Sequence, residues 1–192
     1  AAIYLYTFDP ELLIGWNYEL NDTEKKIVLP EYHDLPSYGM GDSINYEAVI
    51  AAAPQIAFTV GNLGEASIES ADQLSESLGV PVFMVSNDFL ETADVYRAMG
   101  ELFGDEGRGE ALAQYVDEVF AEVEAAAVPE EEQVTVYFGN GTDSLETAPR
   151  GSSHAQIFEV AGAINVADVE SESGSRVQVS LEQILAWDPE FM

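Results

Sequence analysis

One short plan occurs twice in this chain, and it limits the fold more than any other feature. Glu47-Ala48-Val49-Ile50-Ala51-Ala52-Ala53-Pro54-Gln55-Ile56 is echoed 135 positions later by Glu182-Gln183-Ile184-Leu185-Ala186-Trp187-Asp188-Pro189-Glu190-Phe191. In each copy a proline follows the leading glutamate by seven residues, with aliphatic residues on the turns between. Each copy reads as a short helix stopped by proline, with an apolar strand or strand start beyond. Two copies so far apart imply two lobes built on one plan, and a cleft between related lobes is a common place for a ligand.

With 192 residues, the chain has enough length for one large domain or two small lobes. Its 47% apolar and 10% aromatic content excludes general disorder. No run of 18 apolar residues occurs, so no membrane-spanning helix is expected. No signal peptide is visible. The apolar start Ala1–Tyr6 and the stop at Phe191-Met192, where the second copy enters its strand, lead to the expectation of a piece of a longer protein. The 36 acidic residues against six basic ones give a formal charge of −30. That field repels phosphate backbones and argues against nucleic acid, while allowing cations or a basic partner surface. The plainer reading, and the preferred one, is a solvated anionic surface. The absence of cysteine removes disulfides, thiolate metal sites and thiol nucleophiles, and is compatible with export.

Along the chain, Leu12-Leu13-Ile14 reads as a short strand ending in Gly15-Trp16-Asn17-Tyr18. A polar turn follows over Asn21–Lys26, and Pro30–Met40 reads as loop. Ser43 is the expected cap of a helix Ile44–Ala52. Gln55–Val60 reads as a buried strand, Ser67–Leu78 as an amphipathic helix closed by Gly79, and Val80–Val85 as the next strand. Strand alternates with helix, which favours a parallel sheet covered by helices. Thr92–Phe103 and Glu106–Ala127 read as helices, the second carrying Ala111, Tyr115, Val119 and Val123 at helical spacing. Its roughly 30 Å is enough to cross from one lobe to another. Val134–Phe138 is a fresh strand, Asn140-Gly141 a turn, and Ser152 or Ser153 the cap of a helix Ala155–Ala161 ended by Gly162. A short strand Ile164–Ala167, a polar loop Ser171–Arg176 and the repeated helix Leu181–Ala186 complete the chain.

These segments resemble a known family. Ile44-Asn45-Tyr46-Glu47-Ala48-Val49 running to Pro54, then Leu78-Gly79-Val80-Pro81-Val82, are similar to the first lobe of the substrate-binding proteins of ABC importers for iron–siderophore, haem and cobalamin. Tyr137-Phe138-Gly139-Asn140-Gly141-Thr142-Asp143-Ser144-Leu145-Glu146-Thr147-Ala148 resembles the start of that family's second lobe. Ala161-Gly162-Ala163-Ile164-Asn165-Val166-Ala167 and Val179-Ser180-Leu181-Glu182-Gln183-Ile184 follow in the same order. The specific signal is the ordered set rather than any one motif. The resemblance implies an α/β fold of two Rossmann-like lobes with parallel sheets, residues 1–104 and 129–192, joined by one long rigid helix at 105–128. It implies little hinge closure and a second lobe that is incomplete here. It implies a periplasmic or cell-surface monomer that delivers its ligand to a permease, with any lipid anchor and the signal segment outside this chain.

Such proteins present ligand-facing residues on loops that follow strands. Trp16, Asn17 and Tyr18 fit that position, since Trp and Tyr offer flat apolar area with a polar tip; the alternative is a Trp packed under the next loop. Tyr32, His33 and Tyr38 lie in a loop that overhangs the expected cleft, His33 being a donor, a metal ligand or simply an exposed side chain. Asn62, beside Leu63 and Gly64, and Asn87, beside Asp88, follow strands where α/β sheets meet ligands, though turn and cap chemistry also explains them. In the second lobe the polar set is Tyr137, Asn140, Glu146, Arg150 and His154. Arg150, one of four arginines, suits an anionic siderophore, a haem propionate or an oxyanion, against the alternative of a surface ion pair. Ser152-Ser153 offers N–H groups to an anion or a plain cap. Docking to the permease is implied through acidic residues on each lobe, for which Glu65 and Glu69, and Glu159, are the choices.

No catalysis and no resident cofactor or metal are expected. There is no phosphate-binding Gly loop, no His-Glu-x-x-His and no Gly-x-Ser-x-Gly, and carboxylate abundance alone is not acid–base machinery. The Asn21-Asp22-Thr23 and Asn140-Gly141-Thr142 sequons read as accidental. Two rivals remain: a binding protein for molybdate or a nickel chelate, and an α/β enzyme or metallochaperone holding bare metal through carboxylates and His33 or His154.

Overall fold

The computed structural model describes residues 1–171 and 176–192, so residues 172–175 of the expected polar loop 171–176 lie outside the described residues. The chain divides into two compact units, Ala1–Asn87 with Glu91–Ala113, and Asp88–Leu90 with Gln114–Met192. The class is α/β, as expected, with parallel strand pairs in both units.

The first unit opens with helix α1, Ala2–Phe8. Leu12-Leu13-Ile14 is not a strand. Pro10–Leu12 is a 3-10 turn capped by the Asp9 carboxylate, which accepts from Glu11 N–H at 3.0 Å. Pro10 fixes the φ that starts this turn, and only Leu13 of the three is buried. Leu13, Trp16, Leu20 and Val28 form a core cluster with Tyr6 and Tyr32 packed on it. Helix α2, Tyr46–Ala51, starts later than Ser43 predicts, because Asn45 caps it by accepting from Ala48 N–H at 3.1 Å. Ser43 instead closes the 3-10 turn Gly41–Ser43, its Oγ donating to the Met40 carbonyl at 2.8 Å.

Strand β1, Ala57–Gly61, and strand β2, Val82–Ser86, pair in parallel from Ala57↔Val82 to Gly61↔Ser86. Helix α3, Glu65–Leu78, makes the crossover between them. Gly79 ends it at φ +70, a left-handed backbone that glycine adopts without steric cost. Helix α4, Thr92–Phe103, is followed by helix α5, Glu106–Ala125. The apolar stripe expected on α5 is not its packed face: Tyr115 is 66% and Val119 41% exposed, whereas Gly109 and Ala113 are buried. Small residues allow close backbone approach, so they mark the packed side although they add little to an apolar pattern.

The second unit pairs β3, Thr135–Val136, with β6, Ile164–Asn165, in parallel. Beside them is an antiparallel sheet of β4, Gly139–Asn140, β5, Glu146–Thr147, and β7, Val177–Gln178. This sheet is outside the all-parallel expectation. It arises because Gly141 at φ +79 and Ser144 at φ +58 turn the chain back on itself. Helix α6 is Gln156–Val160, and neither Ser152 nor Ser153 caps it by side chain. Tyr137, Val166, Val179 and Ile184 form the core, with Trp187 packed against it.

The second copy of the repeat is helix α7, Leu181–Trp187, capped by Ser180. Ala53 (φ +49) and Asp188 (φ +47) occupy the same repeat position, 53 + 135 = 188, directly before each proline. Both copies therefore bend through one unusual backbone state, which costs a non-glycine residue about 1 kcal/mol. Beyond the bend, Phe191 bridges Val136 in parallel, its N–H donating to the Thr135 carbonyl at 3.1 Å. The strand start expected after Pro189 is therefore present.

Candidate ligand-binding site

Trp16, Asn17, Tyr18 and Tyr38 lie on two loops of the first unit that are tied together after the 3-10 turn Pro10–Leu12. Trp16 bridges Ser37 in parallel, and Tyr38 N–H donates to the Trp16 carbonyl at 2.9 Å, which ties the 15–18 loop to the 36–39 loop. The Tyr38 ring covers Gly15, where any Cβ would collide with it. Trp16 is 7% exposed and its indole Nε1–H donates to the Tyr32 carbonyl at 2.8 Å, so most of the ring is packed beneath the Tyr32 loop. One side of it still borders a cavity of about 310 Å³, lined also by Asn17, Tyr18, Glu24, Ile27 and Met40, with Leu20 and Val28 in its walls. That volume lies at the small end of ligand pockets.

Glu24 was not a sequence candidate. It is held by a reciprocal cap: Asn21 Oδ1 accepts from Glu24 N–H at 3.0 Å, and Glu24 Oε2 accepts from Asn21 N–H at 2.8 Å. The other carboxylate oxygen accepts from the Tyr18 hydroxyl at 3.0 Å. This hydrogen bond and the charge of Glu24 raise the Tyr18 pKa above its ordinary value. The signal in sequence was the Asn21-x-x-Glu24 spacing, which reads as a cap and says nothing of Tyr18.

The remaining candidates of the first unit are engaged locally. His33 Nε2 donates to the Val28 carbonyl at 2.8 Å, which fixes the ring within its own loop. Asn62 Oδ1 accepts from Ser67 Oγ at 2.6 Å and Gly64 N–H at 3.3 Å, which holds the turn that leads into α3. Asn87 is exposed just after β2, and its N–H donates to the Gly61 carbonyl at 3.0 Å. Glu65 and Glu69 stand exposed on the first turns of α3.

In the second unit, Tyr137 is 3% exposed and sits in the core, donating its hydroxyl to the Ser144 carbonyl at 2.7 Å. Burial raises its pKa, as does the nearby Asp143 carboxylate. Asn140 and Glu146 pair across β4 and β5. Arg150 donates from Nε to the Asn165 carbonyl at 2.9 Å and lies 3.6 Å from the Asp168 carboxylate, yet its side chain stays 44% exposed. Asn165 supports that loop from within, donating to the Ala148 carbonyl at 2.9 Å and accepting from Ala167 N–H at 3.0 Å. His154 is exposed beside Ser153. Glu159 accepts from Gly151 N–H at 2.8 Å and so braces the loop that carries Arg150. Among the described residues, no group of three or more metal-ligating side chains converges. Among them also, no helix is long and apolar enough to cross a membrane.

No curated protein sequence matches the chain. Solved structures do. An ABC transporter solute binding protein from Sulfurospirillum deleyianum shares 28% identity and a TM-score of 0.84 over 98% of this chain and 61% of that one. A periplasmic solute binding protein from Veillonella parvula gives 21% and 0.67, over 98% and 58%. The S. aureus protein IsdE, solved with heme, gives 18% and 0.72, over 98% and 69%. The two lower identities speak to fold alone. The chain spans about 61% and 58% of the first two of these relatives. Residues 12–192 match the periplasmic binding protein family, and the chain belongs to it.

Proposed function

We propose that this chain comes from the extracytoplasmic substrate-binding component of an ABC importer. The complete protein captures a metal chelate, of the iron–siderophore, haem or cobalamin type, and delivers it to a membrane permease without covalent chemistry. In this reading helix 105–128 is the rigid link between lobes 1–104 and 129–192. Family membership supports the binding role. Solved proteins of the same fold are named for haem, vitamin B12 and molybdate, so the choice of ligand rests on the chemistry of the site. One observation carries it: Trp16, Asn17 and Tyr18 line an apolar cavity with aromatic area and few polar groups. That surface suits part of a large organic chelate, whereas a small oxyanion needs a tight ring of donors. In the second unit, the exposed part of the Arg150 guanidinium offers donors to an anionic group.

The test is a tryptophan-fluorescence screen of the full-length protein against ferric siderophores, haem and corrinoids, with Trp16→Phe as the control. One chelate that quenches at micromolar concentration, with the response lost in Trp16→Phe, supports the reading. Silence across the panel overturns it. Docking through Glu65, Glu69 and Glu159 is part of the same proposal. Charge reversal there should lower stimulation of the permease ATPase and leave chelate binding intact.

A further inference from the structure

The cavity beside Trp16 has an electrostatic character of its own. Its charged side chain is a carboxylate, Glu24, set among the apolar side chains of Ile27, Met40 and Trp16. Among the described residues, no basic side chain lines it: Lys25 and Lys26 adjoin Glu24 in sequence but stay out of the lining. The Asn21 cap and the Tyr18 hydroxyl hold the carboxylate in one place, so little ordering cost falls on a ligand that meets it. An anionic group entering here would face Glu24 with no positive side chain to pair with, in a chain of formal charge −30.

From this geometry we infer that the cavity takes a cationic, amine-bearing apolar group and that Glu24 sets this preference. The ammonium donates to Glu24, the apolar body lies against Trp16, Ile27 and Met40, and Tyr18 positions the carboxylate. The inference rests on the proposed binding function for its biological meaning: the part of the cargo that enters the first unit carries a protonated nitrogen, and anionic edges belong elsewhere.

Benzylammonium, benzyl alcohol and benzoate are matched probes that differ in charge. Each is titrated into the full-length protein while the indole N–H resonance of Trp16 is followed by NMR, with Trp187, in the core of the second unit, as the internal reference. Measurements at about 1 M salt, where the Debye length is about 3 Å, remove the general attraction of the anionic chain for cations. Benzylammonium is expected to bind about tenfold tighter than benzyl alcohol, and benzoate weakest, as a charge-assisted hydrogen bond predicts. Glu24→Gln keeps the cap geometry and should erase the gap between amine and alcohol without weakening the alcohol. Tyr18→Phe, which removes one of the two groups that hold the carboxylate, should narrow the amine preference without erasing it. Equal binding of benzoate, an unchanged gap in Glu24→Gln, or no movement of the Trp16 resonance with any probe overturns the inference. A chelate that binds without any amine preference defeats this inference alone; an amine preference without chelate binding defeats the proposed function alone.

Discussion

Two glycines in one helix should respond to alanine with opposite signs. Gly109 of α5 faces α4, and a Cβ built there would lie 2.7 Å from the Tyr96 carbonyl oxygen and 2.8 Å from Gly100 Cα. Both are backbone atoms and cannot rotate away. The reverse side is as tight, since a Cβ on Gly100 would meet Gly109 Cα at 3.1 Å. Met99 and Ala113, both 0% exposed, pack close by, so the helices cannot separate without opening a void. Overpacking of this kind costs roughly 1–3 kcal/mol, and forced helix separation sets it at the upper end. The helix propensity of alanine returns about 1 kcal/mol. The expected net loss for Gly109→Ala is therefore about 2 kcal/mol. Gly107 is exposed on the first turn of the same helix, and its Cβ would meet only the Asp105 carboxylate, at 3.6 Å. Gly107→Ala should gain about 0.5 kcal/mol through the unfolded state. Urea unfolding of the two variants beside the parent measures both. A Gly109→Ala variant as stable as Gly107→Ala would refute the backbone-contact reasoning.

Three further outcomes follow from named contacts. Arg108 donates to the Phe8 and Thr7 carbonyls at 3.0 and 2.8 Å, closing the end of α1, so Arg108→Ala should cost about 1 kcal/mol in urea unfolding, with lysine recovering part of it. Asn165 is 0% exposed, and Asn165→Ala strands the Ala148 carbonyl and the Ala167 N–H; about 3 kcal/mol should be lost, and leucine should do no better. Burial raises the pKa of Tyr96 and Tyr137 in the folded protein, so their contribution to stability is complete below about pH 10 and is lost as pH rises through the folded values. The alkaline fall in melting temperature should be shallower in Tyr137→Phe.

Much of the helix and strand order was legible because its signals are local. Thr92–Phe103 has its expected bounds, Gly79 ends its helix, and both copies of the repeat form a helix, a left-handed residue, a proline and a strand or strand start. What failed depended on tertiary contacts. Leu12-Leu13-Ile14 has the composition of a strand, but Pro10 and the Asp9 cap start a 3-10 turn there. Helix α1 gives only a weak local signal through its aromatic residues; Tyr4 packs on Tyr96, Phe8 on Phe103, and Arg108 closes its end. The packed face of α5 is written in glycine and alanine, which an apolar count overlooks. At the site, the aromatic segment Trp16–Tyr18 was readable, whereas Glu24 was not, because a turn brings it back to Tyr18 across six residues. Ser43 was the expected cap, but its hydroxyl is used in its own 3-10 turn and Asn45 caps the helix two residues later.

The central claim is that the protein binds a metal chelate, and equilibrium calorimetry on the full-length protein addresses it most directly. The panel is ferric siderophores, haem, cobalamin, molybdate and free divalent metal ions, each titrated under one set of conditions. The account predicts stoichiometric binding of one organic chelate at micromolar or lower Kd, with molybdate and bare metals inert. Binding of molybdate or a bare metal with no response to any chelate would contradict it.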